Sequence, residues 1–343
     1  MTRFSRRAIP VLFLVLLTIL GAAVLRNLLG AQSLPEPLVV HIPPGAGAQQ
    51  AASILVRRGV IRSARMFLLL AHLSGKGRSI RAGEYRFQGT MTPRQVLRTV
   101  VDGQVLLHAI TLPEGMNRTE TVRALQNSQL DIQGDLDAAS RDISLIAGMD
   151  DAAEDLEGYL YPDTYRFSRG VRAEVVIRTL VKRFRQVMEG LLEHHGPPET
   201  GVRAWVILAS LVEKETGIES ERGRVASVFA NRLRRGMLLQ CDPTVLYALN
   251  RQGVEFHDSL AHYLDIQDPY NTYLHAGLPP GPIDSPGRAS LKAVLDPPKT
   301  ADLYFVANGA GGHTFSTTLE AHQQAVLRLR ASRQALGPRE GKR

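Results

Sequence analysis

The sequence predicts an α+β chain with an N-terminal transmembrane helix, a small α/β subdomain, and a larger, mainly helical part carrying short strands. Three observations support this. Ala8 to Leu25 contains no charged residue and is rich in Leu, Val and Ile, long enough to span a bilayer. Between residues 38 and 112, short β-type runs alternate with helical patterns punctuated by Gly and Pro. Further on, helically spaced apolar residues are interrupted by rigid loops containing aromatic residues and proline. With 343 residues, 44% hydrophobic and 22% charged, the chain has the composition of a globular protein with room for two cored domains, which excludes a disordered chain.

Arg3, Arg6 and Arg7 precede the apolar run. The positive-inside rule keeps them on the cytoplasmic side of the inner membrane and sends everything after Arg26 outward. A cleaved signal peptide is the competing reading, because Gly21-Ala22-Ala23 offers small residues, but the run is longer than a signal core. The expectation is an uncleaved single-pass anchor within 1–26, with residues 27–37 as a linker stiffened by Leu34-Pro35-Glu36-Pro37. The formal net charge of +8 favours anionic surroundings. No Lys/Arg run with interleaved aromatics supports nucleic-acid binding, so an anionic cell-envelope polymer is the better partner. The single cysteine, Cys241, excludes an internal disulfide and a multi-cysteine zinc site.

The small subdomain is expected over 38–112. Leu38 to Ile42 reads as a strand, Pro43 to Gly47 as a turn, and Ala48 to Arg58 as a helix ended by Gly59. A helix over Ser63 to Leu73 and a strand over Gly83 to Phe87 follow. Thr92-Pro93 starts a third helix, with Pro93 at its first position, and Val105 to Leu112 returns to strand. The larger domain is expected over 113–336. From Asn117 to Gly196 it reads as helical and polar, apart from Leu156 to Tyr165, where three tyrosines and a proline suit either packing or stacking on sugar rings. Gly223 to Arg235 and Thr244 to Leu249 read as helices, as do Ala289 to Leu295 and Glu320 to Arg333, with a strand at Leu303 to Asn308 and a frayed tail at 337–343.

The candidate for chemistry lies in Leu208 to Thr216. At helical spacing, Glu215 shares its face with Val212, Leu211 and Leu208, whereas Glu213 shares its face with Ser210, Ala209 and Val206. A carboxyl group in apolar surroundings has its pKa raised and keeps its proton near neutrality, as a general acid requires. The alternative is a solvated charged turn formed by Glu213, Lys214 and Glu215 at a helix end.

Five strings in order, LEGYLYPDTYRF (156–167), VEKET (212–216), ANRL (230–233), LQCDPTVLY (239–247) and PYNTYLHAGLPPGPI (269–283), resemble the endolytic murein transglycosylase family, also known as MltG or YceG-like. The resemblance covers nearly the whole chain after residue 26. It implies an inner-membrane-anchored enzyme with a LysM-like subdomain and a lysozyme-like catalytic domain that cuts peptidoglycan glycan strands. Cys241 stands where a small hydroxyl residue is expected, and Tyr161 where phenylalanine is common. In such enzymes a single glutamate protonates the glycosidic oxygen between N-acetylmuramic acid and N-acetylglucosamine. It then takes the proton of the muramic acid 6-hydroxyl as that group attacks the anomeric carbon, leaving a 1,6-anhydro end. Glu215-Thr216 matches the family's catalytic Glu followed by a small hydroxyl residue. The resemblance also implies that cutting ends nascent strands, with peptidoglycan synthases as possible partners, and it implies no cofactor and no metal.

Asn231, Gln240, Asp242, Thr244, Tyr270, Asn271 and Tyr273 are the candidates for holding sugar N-acetyl and hydroxyl groups or stabilising an oxocarbenium-like transition state. Asp242 before Pro243 equally suits a helix cap and Asn271 a turn. Among rival chemistries, Cys241 has no local signature pairing it with His257, His262 or His275. His257 and His262 with Asp258 and Asp265, or His194-His195, lack metal-ligand spacing. A membrane-tethered glycan-binding protein without catalysis and a lysozyme-type hydrolase remain the serious alternatives.

Overall fold

The structure, a computed structural model, describes residues 8–257 and 259–335. The expected basic tip with Arg3, Arg6 and Arg7, residue Asp258 and the expected tail 337–343 lie outside the described residues. The chain divides into two compact units, one of Met1–His108 with Arg166–Gly170 and one of Ala109–Tyr165 with Val171–Arg343.

The first unit opens with α1 (Ala8–Leu29). Here the expected fold class needs correction: among the described residues no helix is long and apolar enough to cross a membrane. The described side chains of α1 from Phe13 to Ala22 are exposed. The architecture of the described residues is mixed helix and sheet.

After α1, β1 (Gln32–Ile42) pairs antiparallel with β2 (Gly83–Met91). The pairing begins at Gln32, inside the expected linker, and shifts register between Leu34 and Leu38. Pro35 and Pro37 fall inside that shift, where their missing N–H groups would have broken the ladder. Between the strands lie α2 (Ala48–Arg57) and α3 (Ala64–Leu73), and α4 (Pro93–Asp102) follows β2. Thr92 and Gln95 form a capping box at the start of α4, and Gly103 closes it in the left-handed region at φ 69°. Val40, Ile42, Leu55, Phe67, Tyr85, Phe87, Val96 and Val100 are fully buried together, each such side chain contributing about 1.5–3 kcal/mol through removal from water.

β3 (His108–Thr111) and β4 (Thr164–Phe167) form a second two-stranded sheet. The second unit continues with α5 (Arg118–Gln126), the single turn α6 (Leu136–Ala139) and the long α7 (Ala173–His195). Then come α8 (Gly201–Glu215), α9 (Glu219–Arg234), α10 (Asp242–Arg251) and α11 (Arg288–Leu295). β5 (Tyr304–Ala307) and β6 (His313–Ser316) make an antiparallel hairpin before α12 (Leu319–Ala335). The helix α8 is central, packing on α9, α10 and α11. Trp205 of α8 is buried and donates its indole N–H to the Leu291 carbonyl of α11 at 2.8 Å, which fixes the rotation of α8 about its axis and so where Glu215 points.

Candidate active site

Glu215 is the last residue of α8. Thr216 leaves the helix with φ −145° and ψ 128°, and its hydroxyl accepts the Ile218 N–H at 3.0 Å. Beneath the helix end, Leu211, Val212, Leu239, Cys241 and Tyr270 belong to one buried cluster. Burial pushes the Glu215 carboxyl up to about 7. The Cys241 thiol donates to it and pulls the other way, Asp242 repels the charged form, and the buried Arg232 guanidinium attracts it. The position at a helix C-terminus adds to the bias against charge. Glu213 does other work: it accepts the Gly287 N–H at 3.0 Å and pairs with Arg222 at 3.3 Å. It therefore clamps the start of α11 and the body of α9 to α8.

The segment 239–244 is knitted to 271–273. Gln240 donates its backbone N–H to the Thr272 carbonyl at 3.1 Å, and Cys241 donates to the Thr272 hydroxyl at 2.9 Å. These bonds hold Gln240 in the left-handed region at φ 48°, a conformation costing about 1 kcal/mol for a residue with a Cβ. The Gln240 side chain is exposed. Thr244 is buried and donates to the Cys241 carbonyl at 2.7 Å. The Cys241 thiol is fully buried, and burial together with the neighbouring Glu215 pushes its pKa well above the usual range. Asp242 is exposed at the start of α10 and accepts the Tyr273 hydroxyl. Burial and that bond raise the pKa of Tyr273.

Among the sequence candidates, Glu215, Asp242 and Tyr273 thus converge with Cys241, and Gln240 lies beside them. The others are occupied within the protein. The Asn231 amide donates to the carbonyls of Thr300 at 3.0 Å and Asp302 at 2.8 Å. The Asn271 amide donates to the carbonyls of Leu264 and Ile266, and its oxygen accepts the Tyr273 N–H at 3.0 Å. Tyr270 packs against Tyr247 at 4.9 Å and lies under the Arg251 guanidinium at 4.5 Å.

Three features escaped the sequence reading. Arg232 is buried and donates to the Leu303 and Leu239 carbonyls at 2.6 and 2.8 Å, bracing the 239–244 segment; its signal was its place in the ANRL string. Glu157, inside the tyrosine-rich stretch, is buried and accepts the Arg118 N–H at 2.9 Å and the Tyr247 hydroxyl at 3.1 Å. Burial raises it to about 8 against those donors. It caps the first turn of α5 and borders a partly open pocket of about 160 Å³ shared with Arg203, Tyr247, Arg251 and Tyr270, whose lining does not include Glu215. Asp284 is completely buried with both carboxylate oxygens lacking a partner, and nothing in its sequence context announces this.

The fold and site define a helical unit that presents one carboxylic acid, raised by burial to about 7, at a helix end beside a thiol, an exposed aspartate and a half-buried tyrosine. The chain belongs to the YceG-like family, whose sequence model matches residues 40–328. An endolytic murein transglycosylase of Bacillus subtilis is 32% identical over 83% of this chain and 83% of its own length. One of Streptococcus pneumoniae is 27% identical over 93% of this chain and 65% of its own length. The 2.6 Å crystal structure of a YceG-like protein from Listeria monocytogenes superposes with a TM-score of 0.55 at 31% identity, covering 85% of this chain and 99% of that one.

Proposed function

We propose that the chain is a lytic transglycosylase that cuts within peptidoglycan glycan strands, with Glu215 as its acid and base. The observation that carries the reading is a single carboxyl group ending α8 on the buried cluster of Leu211, Val212 and Cys241, where burial raises it to about 7. A group near that value serves both halves of the reaction. Protonated, Glu215 gives its proton to the glycosidic oxygen between N-acetylmuramic acid and N-acetylglucosamine as the bond to the anomeric carbon breaks. The carboxylate left behind takes the proton of the muramic acid 6-hydroxyl as that oxygen bonds to the anomeric carbon. The result is a 1,6-anhydro end, with the proton returned to Glu215 and no water consumed.

In this reading the exposed side chains of Gln240 and Asp242 and the half-buried Tyr273 meet the sugar rings, while Asn231, Thr244 and Asn271 hold the loops that carry them. Tyr270 supports the same loop through its ring contacts. Internal cuts of this kind would end growing strands, which makes the synthases that extend them the implied partners and the extracytoplasmic side the place of action. One observation favours a second reading: Asp242 puts a second carboxylate beside Glu215, and a lysozyme-type hydrolase uses two.

Mass spectrometry of fragments released from purified peptidoglycan, with a Glu215→Gln protein alongside, tests the proposal. Anhydro ends from the unaltered chain alone support it. Reducing ends favour the hydrolase, and absence of cleavage by a folded, glycan-binding protein refutes both.

A further inference from the structure

The outer face of α10 carries a second feature. Asp242, Leu246 and Asn250 are all exposed and recur every four residues, so they form one stripe along the helix. With a rise of 1.5 Å per residue, Asn250 lies about 12 Å along the axis from Asp242. At that far end the chain turns at Gly253 and forms an open, shallow cleft of about 520 Å³ lined by Leu246, Leu249, Asn250, Val254, Glu255, Phe256 and His257, with Glu255 and His257 3.1 Å apart. Leu246, Val254 and Phe256 are 41%, 42% and 49% exposed. The Phe256 ring leans on Tyr263 at 5.7 Å with 48° between planes, which orders the ring and leaves the rest of it to solvent. One exposed apolar side chain needs no explanation; three around a concavity with an amide and an imidazole–carboxylate pair make a binding surface. The stripe begins at Asp242, which sits beside Glu215, so the cleft and the acid are joined by continuous exposed helix surface.

We propose that this stripe and cleft form a remote glycan subsite that takes the apolar ring faces and acetamido methyl groups of N-acetylated amino sugars a few rings from the scissile bond. Leu246, Val254 and Phe256 meet the apolar faces, and Asn250 and His257 meet the amide and hydroxyl edges. The subsite rests on the reading above that the substrate is a glycan strand. It predicts preference for long strands, because only a strand that spans α10 gains the added contacts.

Binding of β-1,4-linked N-acetylglucosamine oligomers of one to six rings to the full chain carrying Glu215→Gln, measured by calorimetry, separates this subsite from the acid site. Affinity is expected to step up once the oligomer can reach from Asp242 to Phe256. Adding Phe256→Ala is expected to lower affinity for six rings about tenfold and to leave two rings unchanged. Leu246→Asn, on the helix surface, is expected to do the same and serves if Phe256→Ala fails to fold. Removing the acetyl groups from the six-ring oligomer should also abolish the step. Equal affinity for long oligomers in a folded variant, or no length dependence at all, overturns the subsite. Cleavage by the unaltered chain is read separately: cutting without the length step overturns only the subsite, and a length step without cutting overturns only the transglycosylase reading.

Discussion

Raising the pH through neutrality tests the role of Glu215 directly. With its carboxyl at about 7, half of the chains hold the proton at pH 7, against about one in 300 for a carboxyl at the ordinary 4.5. If the reaction starts from protonated Glu215, kcat/KM follows that fraction. It should be nearly level below pH 6 and fall by about 90-fold between pH 6 and pH 9. The assay is the initial rate of anhydro-ended fragment release from purified peptidoglycan by the full chain across that range. A fall centred near pH 4.5, or none up to pH 9, would refute burial as the device that makes this acid. The same shift has a stability sign. Because the folded pKa is raised, the folded chain keeps a proton that the unfolded chain has released between pH 4.5 and 7, so stability drops as the pH rises through that window. Glu215→Gln cannot ionise; it should therefore melt higher than the unaltered chain at pH 8, by an amount equivalent to about 1–3 kcal/mol, with no such gain at pH 4. An equal melting difference at both pH values would show that the carboxyl is not held against its charged form.

Three further changes probe the partner of the acid and the packing elsewhere in the unit. Cys241→Ser replaces a weak thiol donor by a stronger hydroxyl, favouring charged Glu215, and should move the basic limb of the rate profile down by about half a pH unit; an unmoved limb would mean the thiol does not touch the acid in solution. Asp284→Asn removes a buried carboxyl whose pKa burial raises far above the usual range and whose oxygens are unpartnered. By the same sign argument its melting point should rise by about 2–8 °C at pH 8 and by less at pH 5, with the reverse order counting against it. Gly158→Ala would add a Cβ 2.5 Å from Pro282 Cγ at a φ of 85°, costing about 2–4 kcal/mol; a urea midpoint close to that of the unaltered chain would contradict this close approach.

What the sequence could reveal depended on how local the cause was. The orientation of Glu215 was legible because helical spacing alone places Leu208, Leu211 and Val212 on its face, and α8 ends with Glu215 on the buried cluster of Leu211 and Val212. The contact with Cys241 was not, since a helix and two turns intervene and only tertiary packing closes the distance. Asn231 and Asn271 show a different limit. An amide that binds a sugar and one that satisfies backbone carbonyls look identical in sequence, and here both amides donate to carbonyls. Glu157 sat in a string that drew attention for its tyrosines, but its role at the first turn of α5 depends on the Arg118 N–H from 39 positions earlier. In α1, the uncharged, mostly apolar composition suggested a spanning helix, yet no helix among the described residues is long and apolar enough to cross a membrane.

A carboxyl kept near neutrality at a helix end is under two opposing demands. Burial must be deep enough to disfavour charge, yet the oxygen must still meet a glycosidic bond. α8 meets the first by ending on the apolar cluster and the second by stopping at Glu215, so that the side chain leaves the helix at its last turn. The unfavourable energy of that arrangement has to be absorbed by rigid surroundings, or the chain would relax and hydrate the acid. Trp205 holding α11, Glu213 holding Gly287 and Arg222, and Thr272 holding Gln240 and Cys241 supply that rigidity. None of these groups needs to touch substrate. Weakening one, as in Thr272→Val, should therefore lower the pH at which activity falls, because a loosened Cys241 segment admits water to Glu215, while a purely structural role would reduce the rate at every pH alike. A pH–rate profile of that variant, with its midpoint compared to that of the unaltered chain, decides between them.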